Sequence, residues 1–316
     1  MSTEEGTHTL PDGLKAYSKT WKDTDLTDFK TSESPRAILV FIHGFSDHCN
    51  THYDLFPTLA ASGIEVRAFD QRGWGRTFNG LKDRGNSGST TVVLADMHSF
   101  ITSVATYAEA QGIPLFLAGH SMGGGQVLNY VLHPDSPYRQ SGAQPKLTGL
   151  LVLSPLIALD PASRPFSFVV TAGRVVAKLL PRMQRHSPLD PAHVSREKSV
   201  IADFQADDLC HETGTFGGLA GMLDRGLWLE NLSKNQLEGI DVLPMWLAHG
   251  DQDRITSHPA TKRLAQLLAE KGDVVFASYE GAYHKLQAEL PETRAQFCRD
   301  VSNWILGKSG ENQSKL

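Results

Sequence analysis

Cysteine is scarce in this 316-residue chain, with Cys49, Cys210 and Cys298 the whole complement. Three scattered thiols cannot build a disulfide framework, and none has the paired spacing of a zinc site. A reducing compartment suits such a chain. Basic residues are not in excess: 30 Lys and Arg stand against 35 Asp and Glu, for a formal charge of -5. No Lys/Arg run concentrates that charge, so the footprint of a nucleic-acid partner is missing. Also missing is any apolar stretch near the ~20 residues that span a bilayer. The first residues, Met1-Ser-Thr-Glu-Glu-Gly6, lack the basic and apolar regions of a secretory signal. These absences predict a cytoplasmic protein, at most peripherally associated with membranes or lipid droplets.

What remains is an ordinary globular composition, 40% hydrophobic and 21% charged, able to bury a sizeable core. The first segment that reads clearly as a strand is 36–43, a near-continuous apolar run of the kind covered on both faces. Similar runs recur at 64–69, 114–118, 147–153, 243–248 and 274–279. Segments with helical spacing lie between them, at 91–110, 122–132, 259–270 and 292–306. Alternation of this kind predicts a doubly wound, mostly parallel sheet flanked by helices. The rhythm breaks after Ser154. From Pro155 to Gly239 the chain is helical and punctuated by proline, which predicts a cap inserted into an α/β core. The expected boundaries are 1–154 and 240–307 for the core, 155–239 for the cap, and 308–316 for a flexible C-terminal tail.

After the run ending at Ala118 comes Gly119-His-Ser-Met-Gly123, with a helix predicted next. This is the G-x-S-x-G elbow, a turn so tight that the serine is strained and glycine is needed on both sides. It lifts the Ser121 hydroxyl above the sheet, at the positive end of the following helix. A serine needs a base, and on a parallel sheet the partners gather just past strand ends. His284 follows the run ending at Tyr279. Asp251 and Asp253 both follow the run ending at Ala248, and Asp253, on the far side of the turn, is the better placed to meet His284. Catalytic roles are thus expected for Ser121, Asp253 and His284. An oxyanion would be held by the backbone N–H groups of Met122 and Phe45, the latter in His43-Gly-Phe45. His43 is expected to support that loop by hydrogen bonding. The neighbouring His43, Asp47, His48, Cys49 and His52 match no metal motif, so neither a metal nor a cofactor is expected.

These motifs, with Phe69-Asp-Gln-Arg-Gly-Trp-Gly75, Ser154-Pro-Leu156, His249-Gly-Asp-Gln-Asp253 and Tyr279-Glu-Gly-Ala-Tyr-His284, resemble the monoacylglycerol lipase and lysophospholipase branch of the α/β-hydrolases. The resemblance implies an α/β-hydrolase fold and cofactor-free hydrolysis of a fatty-acid glycerol monoester under a mobile cap. It also implies that an acid and a base after the HG motif approach the alcohol. Asp47 and His52 are the nearest matches, where Glu and Arg are usual, and His120 beside the nucleophile is a further candidate for substrate contact. Lysophospholipase, short-chain carboxylesterase and thioesterase activities share this chemistry, and a non-catalytic binding module is the alternative from another class. In the cap, 165–181 has Ser167, Thr171, Arg174 and Lys178 on one stripe and is otherwise apolar or small. Such a helix either packs on the core or divides its apolar surface between an acyl tunnel and a lipid surface, with the two basic residues near headgroups.

Overall fold

The computed structural model describes residues 1–23, 34–140, 142 and 144–313. The chain opens with an antiparallel hairpin, β1 (Ser2–Thr9) and β2 (Lys15–Lys22). There follow β3 (Ala37–Ile42), α1 (Leu55–Ala61), β4 (Ile64–Phe69), α2 (Thr90–Gln111), β5 (Leu115–His120), α3 (Met122–Leu132), the short α4 (Pro137–Gln140) and β6 (Gly149–Leu153). The insertion carries α5 (Ser167–Leu179), β7 (Gln184–His186), α6 (Lys198–Ala206), β8 (Thr213–Thr215) and α7 (Phe216–Glu230). The core resumes with β9 (Met245–Gly250), α8 (His258–Ala269), β10 (Val274–Tyr279) and α9 (Pro291–Gln313).

Among the described residues, eight strands form one sheet in the order β1-β2-β4-β3-β5-β6-β9-β10. From β4 to β10 neighbouring strands are parallel, and β2 meets β4 antiparallel. One face buries side chains of α2, α3 and α8, the other those of α1 and α9. Because β3, β5 and β6 are covered on both sides, every one of their residues is buried. Their continuous apolar reading follows from that. Helix starts are chemically marked: Ser89 and Ser257 accept from the N–H groups of Val92 and Ala260 to cap α2 and α8.

Two expectations need correction. The β1–β2 hairpin escaped the sequence reading because β1, Ser-Thr-Glu-Glu-Gly-Thr-His-Thr, is an exposed edge strand without an apolar run. At the other end, α9 continues through 308–313, where a tail was expected; residues 314–316 lie outside the described ones. Among the described residues, the insertion adds no strand to the main sheet, and β7 pairs only with β8. Its helix α7 is fixed to the core. Asn129 Nδ2 of α3 donates to Arg225 O at 3.2 Å, and Arg225 Nη1 donates to Thr90 Oγ1 of α2 at 3.0 Å. The three cysteines are buried and unpaired.

Candidate active site

Chain direction over the sheet reverses at β3. From there the chain steps outward to β4 and then returns to β5 on the other flank. A crevice opens at the carboxyl ends of two such strands, the usual ligand position on an open parallel sheet. Gly44 ends the β3 side and Ser121 the β5 side. A β-carbon on Gly44 would lie 3.1 Å from Ser121 Cβ, so the two loops are in contact.

Ser121 has φ 56° and ψ −119°, a backbone conformation that costs a non-glycine residue of order 1–3 kcal/mol. Its surroundings enforce it. Ser121 N donates to Leu153 O at 2.9 Å, and Ser121 O accepts from Gly125 N and Leu156 N. A β-carbon at Gly119 would come 2.4 Å from Gly123 O, and one at Gly123 would come 2.2 Å from Ile42 O. Both glycines are therefore demanded by close backbone approach. Met122 opens α3, and with Phe45 and Ser121 it lines the same cavity.

The structure brings Asp253 and His284 together. His284 Nδ1 donates to Asp253 Oδ2 at 2.7 Å, while Oδ1 accepts from Ile255 N at 2.7 Å and Thr256 N at 3.0 Å. Burial alone would raise the Asp253 pKa, but His284 and the hydrogen bonds from His249 and His284 outweigh it and hold the acid ionised. Nδ1 of His284 thus carries the proton and Nε2 is left as the basic nitrogen. Asp251 is engaged elsewhere, accepting from Gly281 N at 2.7 Å. His43 behaves as a loop support: Nδ1 donates to Gly44 O at 2.8 Å, Nε2 accepts from Gln71 N at 2.8 Å, and His43 O accepts from Gln71 Nε2 at 2.7 Å. Burial lowers its pKa and keeps it neutral.

The candidates for alcohol contact fall differently. None of Asp47, His52 and His120 lines the cavity. His52, 1% exposed, packs against the rings of Phe41 and Phe56, with Nδ1 3.2 Å from Gln287 Nε2. The cation facing Asp47 is Lys285, whose Nζ lies 3.2 and 3.1 Å from the two carboxylate oxygens and 3.0 Å from Thr51 Oγ1. His120 donates through Nε2 to His284 O at 3.2 Å, and its ring lies 4.8 Å from that of His284. Burial, with the nearby charges of His284 and Lys285, lowers its pKa to about 3.

Sequence reasoning also missed His249. Its Nε2 donates to Asp253 Oδ2 at 3.0 Å, and only its position one turn before the acid hinted at this. Among the described residues, His48 of the histidine-rich loop joins Asp207 and Cys210 in a cluster whose donor atoms lie within 4.8 Å of one another. His48 meets the insertion there, donating through Nε2 to Asp207 Oδ2 at 2.8 Å. Burial raises the Cys210 thiol pKa far above its usual range.

Over Ser121 lies a cavity of about 520 Å³, walled by Leu156 and Leu159, by Val169 and Val170 of α5, and by Leu219 and Leu223 of α7. It adjoins a second space of about 220 Å³ with which it shares Leu156, Val170 and Arg174. The Arg174 guanidinium pairs with Asp224 of α7 at 2.5 Å, and Lys178 is the exposed basic residue of the stripe. Val169 faces the cavity and Val176 is not among its lining residues. On its other side α5 exposes Phe168, Val175 and Leu179, next to Phe166, at 70, 55, 74 and 76%. No helix among the described residues is long and apolar enough to cross a membrane.

The profile of the serine aminopeptidase S33 family matches residues 33–291. A Schizosaccharomyces pombe protein provisionally named a monoglyceride lipase is 30% identical over 299 residues, 94% of this chain and 73% of that one. The human monoglyceride lipase is 26% identical, across 93% of this chain and 88% of its own. A soluble variant of Saccharomyces cerevisiae monoglyceride lipase, solved with a substrate analogue, superposes with a TM-score of 0.86 at 25% identity, covering 98% of this chain and 96% of that one. The fold, the serine elbow and these relatives agree: the chain belongs to the serine aminopeptidase S33 family, in the monoacylglycerol lipase and lysophospholipase branch of the α/β-hydrolase superfamily.

Proposed function

We propose that the chain hydrolyses the ester bond of monoacylglycerols, releasing a fatty acid and glycerol, with Ser121 as nucleophile, His284 as general base and Asp253 as the residue that orients it. The observation that carries this reading is the mostly aliphatic 520 Å³ cavity that has Ser121, Phe45 and Met122 in its lining. An acyl chain is the ligand such walls suit. His284 Nε2 takes the Ser121 proton as Oγ attacks the carbonyl carbon, and the N–H groups of Phe45 and Met122 hold the oxyanion. Collapse of the intermediate expels the glycerol alkoxide, which leaves with the proton from His284. Water, deprotonated by the same nitrogen, then cleaves the acyl-enzyme and frees Ser121. The names of the relatives favour a glycerol ester as substrate.

In this reading residues 155–239 act as a lid. The Phe166, Phe168, Val175 and Leu179 surface touches a membrane or lipid droplet, so that substrate enters between α5 and the core. The protein works in the cytoplasm, as a monomer or an oligomer. The test is product analysis with monoacylglycerols, diacylglycerols and lysophospholipids, alongside fluorophosphonate labelling of Ser121. Preferential release of glycerol from monoacylglycerol supports the reading. Faster turnover of lysophospholipids or short esters would replace the substrate, and failure to label would remove the mechanism.

A further inference from the structure

The acid of the candidate triad has two histidines. Asp253 Oδ2 accepts from His284 Nδ1 at 2.7 Å and from His249 Nε2 at 3.0 Å, and Thr256 Oγ1 lies 2.9 Å from it. His249 is fully buried at the end of β9, and its Nδ1 is 2.9 Å from Thr261 Oγ1 of α8. The imidazole is therefore clamped at both nitrogens with one N–H aimed at the oxygen that the candidate base also uses. We propose that His249 is a positioning residue that acts on His284 through Asp253, taking up part of the negative charge on Oδ2.

The inference rests on the serine-hydrolase reading and adds a setting for its base. A carboxylate that gives part of its charge to a second donor attracts the His284 imidazolium less strongly. Removal of His249 should leave the carboxylate nearly where it is, because Oδ1 keeps its bonds from Ile255 N and Thr256 N. Charge sharing, not displacement, then decides the sign. Other titratable or charged groups also face this cluster. The His258 ring of α8 stands 5.5 Å from that of His249 and is itself close to Asp251 and Lys262, and His120 of β5, near Asp47 and Lys285, faces His284. Of these, His258 touches the ring at position 249 and is altered with it, in the same way in the Phe, Gln and Asn variants below, whereas the groups around His120 keep their contacts.

The measurement is the second-order rate of fluorophosphonate labelling of Ser121 from pH 4.5 to 9, which needs no knowledge of the natural substrate. For His249→Phe the acid limb should move up by about half a unit or more, roughly a threefold loss on the acid side, with the plateau near wild type. His249→Gln, whose amide can donate to Oδ2, should return the limb towards wild type. His249→Asn, too short to reach, should behave like the Phe variant and serves if Phe is not accommodated. A limb that stays within the error of wild type in both the Phe and Asn variants, with thermal stability alone reduced, overturns the inference. A wild-type protein that does not label at all overturns the underlying reading instead.

Discussion

Lys285 and Asp47 form a buried ion pair, Nζ to Oδ2 3.1 Å, that ties the residue after the candidate base to the loop carrying Phe45. The two are 238 positions apart in the chain. Breaking a buried pair from one side leaves the other charge stranded, at a cost of roughly 3–5 kcal/mol. Lys285→Met should therefore lower the midpoint of denaturant unfolding sharply, and Lys285→Met with Asp47→Leu should recover much of it. Equal losses in the single and double variants would show that the charge pairing contributes little.

Replacing Ser121 with Ala should abolish turnover and labelling while leaving the unfolding transition in place. Loss of a nucleophile of this kind lowers kcat by roughly a factor of 10⁶. A variant that keeps a tenth of wild-type activity, with contaminating esterases removed, is incompatible with the proposed chemistry.

The two neighbouring acids separate in the same assay. Asp253→Asn removes the charge that fixes the His284 tautomer and should cost about 10⁴ in kcat. Asp251→Asn disturbs a bond to Gly281 N and should cost far less. The opposite ranking would transfer the role to Asp251.

If the aliphatic cavity takes the acyl chain, each buried methylene contributes up to about 0.8 kcal/mol, so two more carbons should raise kcat/KM by roughly tenfold until the space is full. Val169→Asp, on the cavity wall, should erode that preference and spare acetate esters. Val176→Asp, off the wall, should do less. A flat profile from short to long chains, or equal loss of both activities, would assign α5 to packing alone.

Acid should destabilise the fold from near neutrality downward. Burial lowers the pKa of His43, His52 and His120, the last to about 3. Unfolded histidines, near 6.5, bind protons that the folded ones refuse, so stability present above that value is lost as pH falls. Asp47 and Asp253, held below their ordinary range, add a second loss below about 3.8. The melting temperature should fall steadily between pH 7 and 5, and a constant value across that window would contradict the neutral, buried histidines.

The parallel strands and the helices between them were legible because burial on both faces leaves a continuous apolar run, and amphipathic helices a 3.6-residue period. The elbow was legible because its glycines answer to backbone contacts only glycine permits. Pairings across the chain were not. Asp47 and His52 were matched by resemblance to an acid and a base beside the alcohol, whereas Asp47 pairs with Lys285, brought in by the turn after β10. His249 escaped because its strand is apolar and fully buried, and what matters about it is a bond between two polar atoms. Periodicity reports which face of an element is covered, and says nothing of which polar atom meets which.

The antiparallel hairpin has a consequence for the sheet's flank. β4 pairs on one side with β3 and on the other with β2, through Val66 to Phe69. Without the first 22 residues, those backbone N–H and C=O groups would line an open border beside Phe56, against which Trp21 now packs at 4.7 Å. A bare apolar border of that kind templates strand addition between molecules. β1, rich in Thr and Glu, gives the same flank a polar selvage, and trimming the N-terminus would convert a self-limiting sheet into one that can grow.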